Sequence, residues 1–258
     1  MPVTNNIFYF SNGAENATRP PLIFIHGAGG THLHWPHQVR RMPNQRILAL
    51  DLPGHGKSAG IGSQSISDYA SQIVEFLDEM RMNAAVFIGH SMGSAIALML
   101  ALDFPKRVLG LGLVGSGARL RVNPQILEST ASDLLFPHAI KLINEAEFSA
   151  NVNPRLKELA AQRMNEIRPS VLHGDFLACN EFDVMSRLGE ISKPTLILCG
   201  ADDILTPVKY SEYLHAQIAN SRLVIVPDAG HMAMLEAPQT VADEIDAFAD
   251  SIRFRAGQ

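Results

Sequence analysis

Six short, almost wholly apolar runs, each bounded by Gly, Pro or polar turn residues, constrain this chain more than any other feature. They are Pro21–Ile25, Arg46–Leu50, Ala85–Ile88, Val108–Val114, Thr195–Cys199 and Leu223–Val226. Runs of this length without polar alternation are what strands buried on both faces of a parallel sheet look like. A weaker strand is expected at Ile7–Phe10. Helical patterns lie between several of the runs. Tyr69, Ile73, Phe76, Leu77 and Met80 share one helical face, preceded by Ser65-x-x-Asp68 as a capping box. Near the end of the chain, Pro238 suits a first helical position, and Val241, Ile245, Phe248 and Ile252 keep one face apolar. Strands alternating with helices predict a doubly wound, mostly parallel α/β sheet with right-handed crossovers. In such a sheet ligands bind at the carboxyl ends of the strands.

From Ala118 to Lys193 the rhythm breaks. No convincing strand is present, and helix-like pieces are punctuated by Pro124, Pro137, Pro154 and Pro169. An unstructured loop of that length is improbable. A helical insertion seated on the sheet is expected, its apolar residues (Leu134, Leu135, Phe136, Ile140, Ile143 and Phe176 among them) serving its own core or facing the sheet. The expected division is therefore 1–117 with 194–258 as core and 118–193 as insertion.

Composition removes several classes of function. Lys plus Arg total 21 against 26 Asp plus Glu, a formal net charge of −5 with no dense basic run, which argues against nucleic acid as a partner. No apolar run approaches the ~20 residues needed to span a bilayer. The start, MPVTNNIFYF, has neither the basic nor the apolar region of a signal peptide, so a cytoplasmic location is expected. Asn16-Ala-Thr18 fits a glycosylation sequon, which carries no meaning without secretion. Cys179 and Cys199 form neither a disulfide framework nor a metal-type pair.

The chemistry-bearing residues sit just past the apolar runs. Gly89-His90-Ser91-Met92-Gly93 follows one strand and precedes a helix-like segment. That context suits a nucleophile elbow, in which small residues flank a serine on a sharp strand-to-helix turn. Phe24-Ile25-His26-Gly27-Ala28-Gly29-Gly30 is a glycine-rich turn able to bring backbone amides close to a ligand. An oxyanion hole needs two such donors, one from a loop of this kind and one from the residue after the nucleophile. Gly200-Ala201-Asp202-Asp203 and then Asp228-Ala229-Gly230-His231 supply carboxylates and a histidine in the order Ser, Asp, His.

With these motifs, together with DLPGHGKS (Asp51–Ser58), PTLILCGADDILTP and GHMAMLEAP, the sequence resembles an α/β-hydrolase with a helical cap, over nearly its whole length. The resemblance implies a triad of Ser91, Asp203 and His231, with Ala28 and Met92 as oxyanion amides. The family acid lies three residues after the glycine, which selects Asp203 over Asp202; the alternative site after the preceding strand, Gly115–Arg119, has no carboxylate. Trp35, Leu205 and Met232 are the expected lining of the substrate pocket, although Met92 and Met232 equally suit ordinary packing. His90 is expected to face away from the chemistry. The cluster His32, His34 and His37 matches no zinc spacing and is expected to be a loop near the pocket mouth. Asp51 and His55 are expected to shape their loop, and Cys199 to be a small buried hydrophobe.

These readings lead to a serine hydrolase of carboxylic esters, with no cofactor and no metal. Its partner is a small-molecule ester or lactone, and monomer or small homo-oligomer both stay open. An enol-lactonase, or a carbon–carbon bond hydrolase of the same fold, is the alternative; Thr31 after Gly30 departs from the H-G-x-G-P-G of the latter group. A ligand-binding receptor with vestigial turnover is the alternative of another class.

Overall fold

A computed structural model describes residues 3–13 and 18–254; Asn16 of the sequon lies outside the described residues. Eight strands form one sheet: β1 Val3–Thr4, β2 Ile7–Asn12, β3 Leu22–Ile25, β4 Ile47–Leu50, β5 Ala85–His90, β6 Val108–Val114, β7 Thr195–Gly200 and β8 Ser221–Val226. Their spatial order is β1-β2-β4-β3-β5-β6-β7-β8. β1 pairs antiparallel with β2, and β2 antiparallel with β4. Every pairing from β4 to β8 is parallel. The six runs expected as strands are all present. The two-residue edge strand β1 was not expected; so short an element leaves no periodic trace.

The helices are α1 His37–Arg40, α2 Ile66–Glu79, α3 Met92–Asp103, α4 Pro124–Thr130 and α5 Phe136–Glu147. They continue with α6 Pro154–Met164, α7 Pro169–Glu181, α8 Val208–Gln217, α9 Ala233–Glu236 and α10 Pro238–Ser251. Two buried clusters cover the two faces of the sheet. One holds Tyr69, Ile73 and Phe76 of α2 with the apolar side of α3 and Leu214 of α8. The other holds Val39 of α1 and Val241, Ile245 and Phe248 of α10. Each such side chain buried contributes about 1.5–3 kcal/mol, so the two apolar stripes suffice to hold these helices to the sheet. Ser65 Oγ accepts the Asp68 amide at 3.3 Å, which supplies one half of the expected capping box.

Four helices, α4 to α7, occupy the segment between β6 and β7. The prolines there start helices: Pro124, Pro154 and Pro169 are first residues and Pro137 is the second. At those positions a proline's missing N–H costs nothing. The two ends of the segment meet at a bridge between Arg119 and Asp183, whose side chains also pair at 2.6 Å. Ile126, Phe136, Ala139, Ile140, Ile143, Met164 and Leu172 form a separate buried cluster. Leu134, by contrast, is 87% exposed, with Leu135 and Leu159 also exposed, so not every apolar residue of the insertion is inside. Among the described residues no helix is long and apolar enough to cross a membrane.

Candidate active site

β5 ends at His90 and α3 begins at Met92, so the chain reverses its backbone conformation within one residue. That residue, Ser91, has φ 53° and ψ −115°. A non-glycine residue at positive φ is costly and persists only where its surroundings impose it. The glycines two places either side make room for the turn that imposes it. A Cβ on Gly89 would lie 2.1 Å from the Gly93 carbonyl oxygen, and one on Gly93 would lie 2.2 Å from that of Ile25. The Ser91 N–H donates to Val114 of β6 at 2.9 Å, and the Ser91 carbonyl accepts from Ser94 and Ala95. Met92 opens the helix, where a backbone N–H has no intrahelical partner and the helix dipole is positive.

His231 and Asp203 come from the loops after β8 and β7. His231 Nδ1 lies 2.9 Å from Asp203 Oδ2, and both side chains are buried. Asp203 Oδ1 accepts the amides of Leu205 at 2.9 Å and Thr206 at 2.8 Å. The Thr206 hydroxyl donates to Asp203 Oδ2 at 2.7 Å and lies 3.2 Å from His231 Nδ1. Four donors thus converge on one carboxylate. Burial alone raises the Asp203 pKa, but the charge and hydrogen bond of His231 and the Thr206 donors outweigh it and hold the carboxyl below its usual value. Burial likewise opposes the His231 imidazolium; the Asp203 charge and hydrogen bond, with Glu147 behind them, outweigh it and raise His231 above its usual value. Asp202, the neighbouring carboxylate, is exposed.

The loop after β3 is closed on itself. The Gly27 carbonyl accepts from Gly30 N–H at 3.0 Å and from His26 Nδ1 at 2.7 Å. His26 Nε2 accepts the Leu52 amide at 3.0 Å, so the ring is neutral with its proton on Nδ1; burial and the nearby His55 keep its pKa low. Because the peptide is trans, tying the Gly27 carbonyl inward turns the Ala28 N–H the opposite way.

Ala28, Ser91 and His231 line one cavity of about 440 Å³. Its other walls come from Leu120, Val122, Ile126, Leu142, Ile143, Ala146 and Phe176 of the insertion, and from Leu205, Thr206 and Tyr210. Leu205 therefore stands where the sequence reading put it, but two other residues do not. Trp35 is 0% exposed and packs edge-on against Phe24 in the core beneath the sheet. Met232 is buried in that same cluster, its N–H donating to the Glu147 carbonyl at 3.0 Å. Neither lines the cavity; both serve packing. A larger cavity of about 790 Å³ lies beside the same glycine loop but holds none of Ser91, Asp203 and His231.

His90 points away from the cavity yet is not idle. Its ring lies 4.7 Å from that of His231, and its Nε2 is 3.1 Å from the His231 carbonyl, to which it donates. His32 is buried on Asp51, with Nδ1 2.7 Å from Oδ1, and Asp51 Oδ2 accepts the Lys57 amide at 2.9 Å. His34 lines the larger cavity, where burial and then Arg163 push its pKa down to about 4. His37 is the first residue of α1. Among the described residues no group of three His, Cys, Asp or Glu side chains is arranged to hold a metal ion.

Sequence reasoning did not single out Thr206 or Glu147. Glu147 ends α5, is buried, and has no hydrogen-bond partner for Oε2. Burial pushes its pKa up to about 7, against the downward pull of His231. A carboxyl raised from 4.5 in the unfolded chain binds its proton more tightly when folded, so stability falls as pH rises from about 4.5 to about 7. Glu147→Gln should remove that loss, gaining about 2.5 kcal/mol at pH 8 relative to pH 5. It should also extend activity to lower pH, because it takes away a charge that favours the imidazolium of His231. Urea unfolding and kcat/KM measured across pH check both; an unchanged slope of stability with pH would refute the buried charge.

The family model of the alpha/beta hydrolase fold matches residues 20–238. A pimeloyl-[acyl-carrier protein] methyl ester esterase of Pectobacterium carotovorum is 29% identical over 251 residues, covering 92% of this chain and 97% of that protein. A 3-oxoadipate enol-lactonase of Acinetobacter baylyi is 26% identical, covering 94% of this chain and 92% of that protein. A solved thermophilic esterase superposes with a TM-score of 0.81 at 32% identity, covering 95% of this chain and 98% of the other. The family match takes in every strand of the parallel sheet, from β3 to β8, and ends on the first residue of α10; the chain belongs to the alpha/beta hydrolase fold family.

Proposed function

We propose that the protein is a serine hydrolase of carboxylic esters with small to medium acyl groups, with Ser91 as nucleophile, His231 as general base and Asp203 as its orienting acid. The observation that carries this reading is that Ser91 and His231 open onto one apolar cavity while Asp203 holds the far nitrogen of the imidazole. Its relatives include an ester hydrolase and an enol-lactonase. With Nδ1–H donated to Asp203, the lone pair of His231 is on Nε2, where a base is needed.

Ser91 Oγ adds to the ester carbonyl as its proton passes to His231 Nε2. The amides of Ala28 and Met92 receive the negative oxygen. The intermediate collapses, the C–O bond to the alcohol breaks, and His231 returns the proton to the departing oxygen. Water then repeats the sequence on the acyl-enzyme: its proton goes to His231, its oxygen bonds to the acyl carbon, and Ser91 leaves with the proton. No step calls on a cofactor.

Residues 118–193 act as a cap in this reading, over a core of 1–117 and 194–258. The two free, buried cysteines suit a reducing compartment, consistent with the cytoplasm. The kinship with an enol-lactonase supports a cyclic ester as a second substrate form, since both present the same acyl carbon to Ser91. Stoichiometric labelling of Ser91 by a fluorophosphonate, with turnover of a short aryl ester, tests the mechanism. Labelling without turnover would favour a receptor, and a panel of linear esters against lactones separates the two substrate forms.

Acyl length should be read by the cavity wall. Each methylene buried there adds ~0.8 kcal/mol, about fourfold in kcat/KM, until the roughly enclosed space is filled. Overfilling a packed wall then costs more than it gains. At fixed leaving group, kcat/KM should rise over the first few carbons and then fall. A steady rise out to long chains with activation at a lipid surface would mean a lipase.

A further inference from the structure

Asp175 lies on cap helix α7 and is 0% exposed. Its Oδ2 accepts the backbone N–H of Gly29 at 2.9 Å and lies 2.7 Å from His55 Nε2. Its Oδ1 accepts the Tyr69 hydroxyl at 2.7 Å. The glycine loop, the loop after β4, and α2 therefore meet on one carboxylate supplied by the cap. The protons follow from the partners. His55 Nδ1 lies 3.1 Å from the Pro53 carbonyl, which can only accept. Tyr69 accepts the Ser63 amide at 2.9 Å and so gives its own proton to Asp175. The same carboxylate that receives Gly29 and Tyr69 faces His55 Nε2, which donates to it and favours a positive charge on the ring. Burial opposes that charge, and the Asp175 charge and hydrogen bond overcome it.

The bond to Gly29 bears on the oxyanion site. Gly27 to Gly30 form a four-residue turn, closed by Gly30 N–H to the Gly27 carbonyl, with Gly29 at φ +65°. Positive φ at the third position is the mark of a type II turn; in type I the central peptide is turned over by a half-rotation. In the observed orientation the Gly29 N–H faces Asp175. In the other, the Ala28 carbonyl oxygen would face the carboxylate and be repelled by it. Leu172, one turn before Asp175 on α7, closes over the same glycine: a Cβ there would lie 2.7 Å from its Cδ1.

We propose that Asp175 is a positioning residue for the oxyanion site, by which the cap anchors the Gly27–Gly30 turn through Gly29 and so fixes where the neighbouring Ala28 N–H lies at the cavity wall. The inference rests on the ester-hydrolase reading above. The donor of Ala28 must sit where the negative oxygen forms, and small displacements of such groups are costly: about 10²-fold for an ångström or for a lost donor.

The test is turnover per active site, with sites counted by fluorophosphonate labelling carried to completion. Asp175→Asn keeps one acceptor oxygen for Gly29 and should lose about tenfold in kcat; Asp175→Ala keeps none and should lose about 10²-fold. KM should be unchanged in both, and the rate of phosphonate inactivation should fall in parallel with kcat. A merely structural role would lower the melting temperature and the number of titratable sites while leaving kcat per site intact, and that result overturns the proposal. Should both variants fail to fold, Tyr69→Phe carries the test, because it frees Oδ1 and leaves the bond to Gly29. A fall of about threefold in kcat per site is then expected, at unchanged KM, and an unchanged kcat per site overturns the proposal. Wild-type protein that neither labels nor turns over would instead overturn the ester-hydrolase reading itself.

Discussion

Ser91→Ala should lower ester turnover by about 10³-fold or more while leaving a folded protein. The elbow does not depend on the hydroxyl. The positive φ at residue 91 belongs to the tight turn for which Gly89 and Gly93 make room, and alanine bears the same strain there as serine. The main-chain amides of Ala28 and Met92 and the cavity wall also survive the change, so binding should persist and the loss should fall on kcat. Turnover and melting temperature measured on the same preparation decide the matter. Near-normal turnover by the folded variant would remove Ser91 from the mechanism, and a collapse of melting temperature would mean that the hydroxyl holds the turn together.

The second large effect concerns Asp203. In Asp203→Asn the amides of Leu205 and Thr206 will keep the remaining oxygen at Oδ1, since an NH₂ group facing them would clash. The NH₂ must then occupy the Oδ2 position and face His231 Nδ1. A donor there places the lone pair of the imidazole on Nδ1 and its proton on Nε2, the nitrogen that accepts from Ser91 in the proposed mechanism. A loss of about 10⁴-fold in kcat is expected, as for other triads forced into this tautomer. Asp202→Asn, on an exposed side chain, should change kcat by less than about twofold. If the two variants exchange severity, the acid is one residue away from where the motif spacing puts it.

The strands were legible because burial on both faces leaves unbroken apolar runs, and the helices of the insertion because prolines stand at their first turns. The motif residues Ser91, Asp203 and His231 were legible for a related reason: each follows a strand by a fixed number of residues, so local spacing carries three-dimensional position. Trp35 and Met232 show where that ends. Both are near the site in sequence, yet an apolar side chain close to a sheet edge can turn either into the cavity or into the core, and only packing decides. Asp175 and Glu147 were invisible for another reason. A carboxylate in a helical segment ordinarily reads as a solvated face, and the partners of Asp175 lie 106 to 146 residues away in the chain. The edge strand Val3–Thr4 left no trace because two residues have no period.

Glu236 draws these elements together at the other end of the site. Its Oε1 accepts the amide of Gly230, next to His231, and its Oε2 accepts both the amide and the hydroxyl of Ser149 at the end of α5. With Asp175 on the opposite side, the four-helix segment is moored at two points by multiply bonded carboxylates, one beside His231 and one beside the glycine turn. Raising it as a rigid body would break both moorings and displace His231. Traffic in and out of the cavity is left to the rim, where Ile204 and Leu205 are exposed. Rotamer changes of exposed side chains take picoseconds to nanoseconds, whereas lid movements take microseconds to milliseconds. Admission and release at that rim then run on the faster of these two clocks.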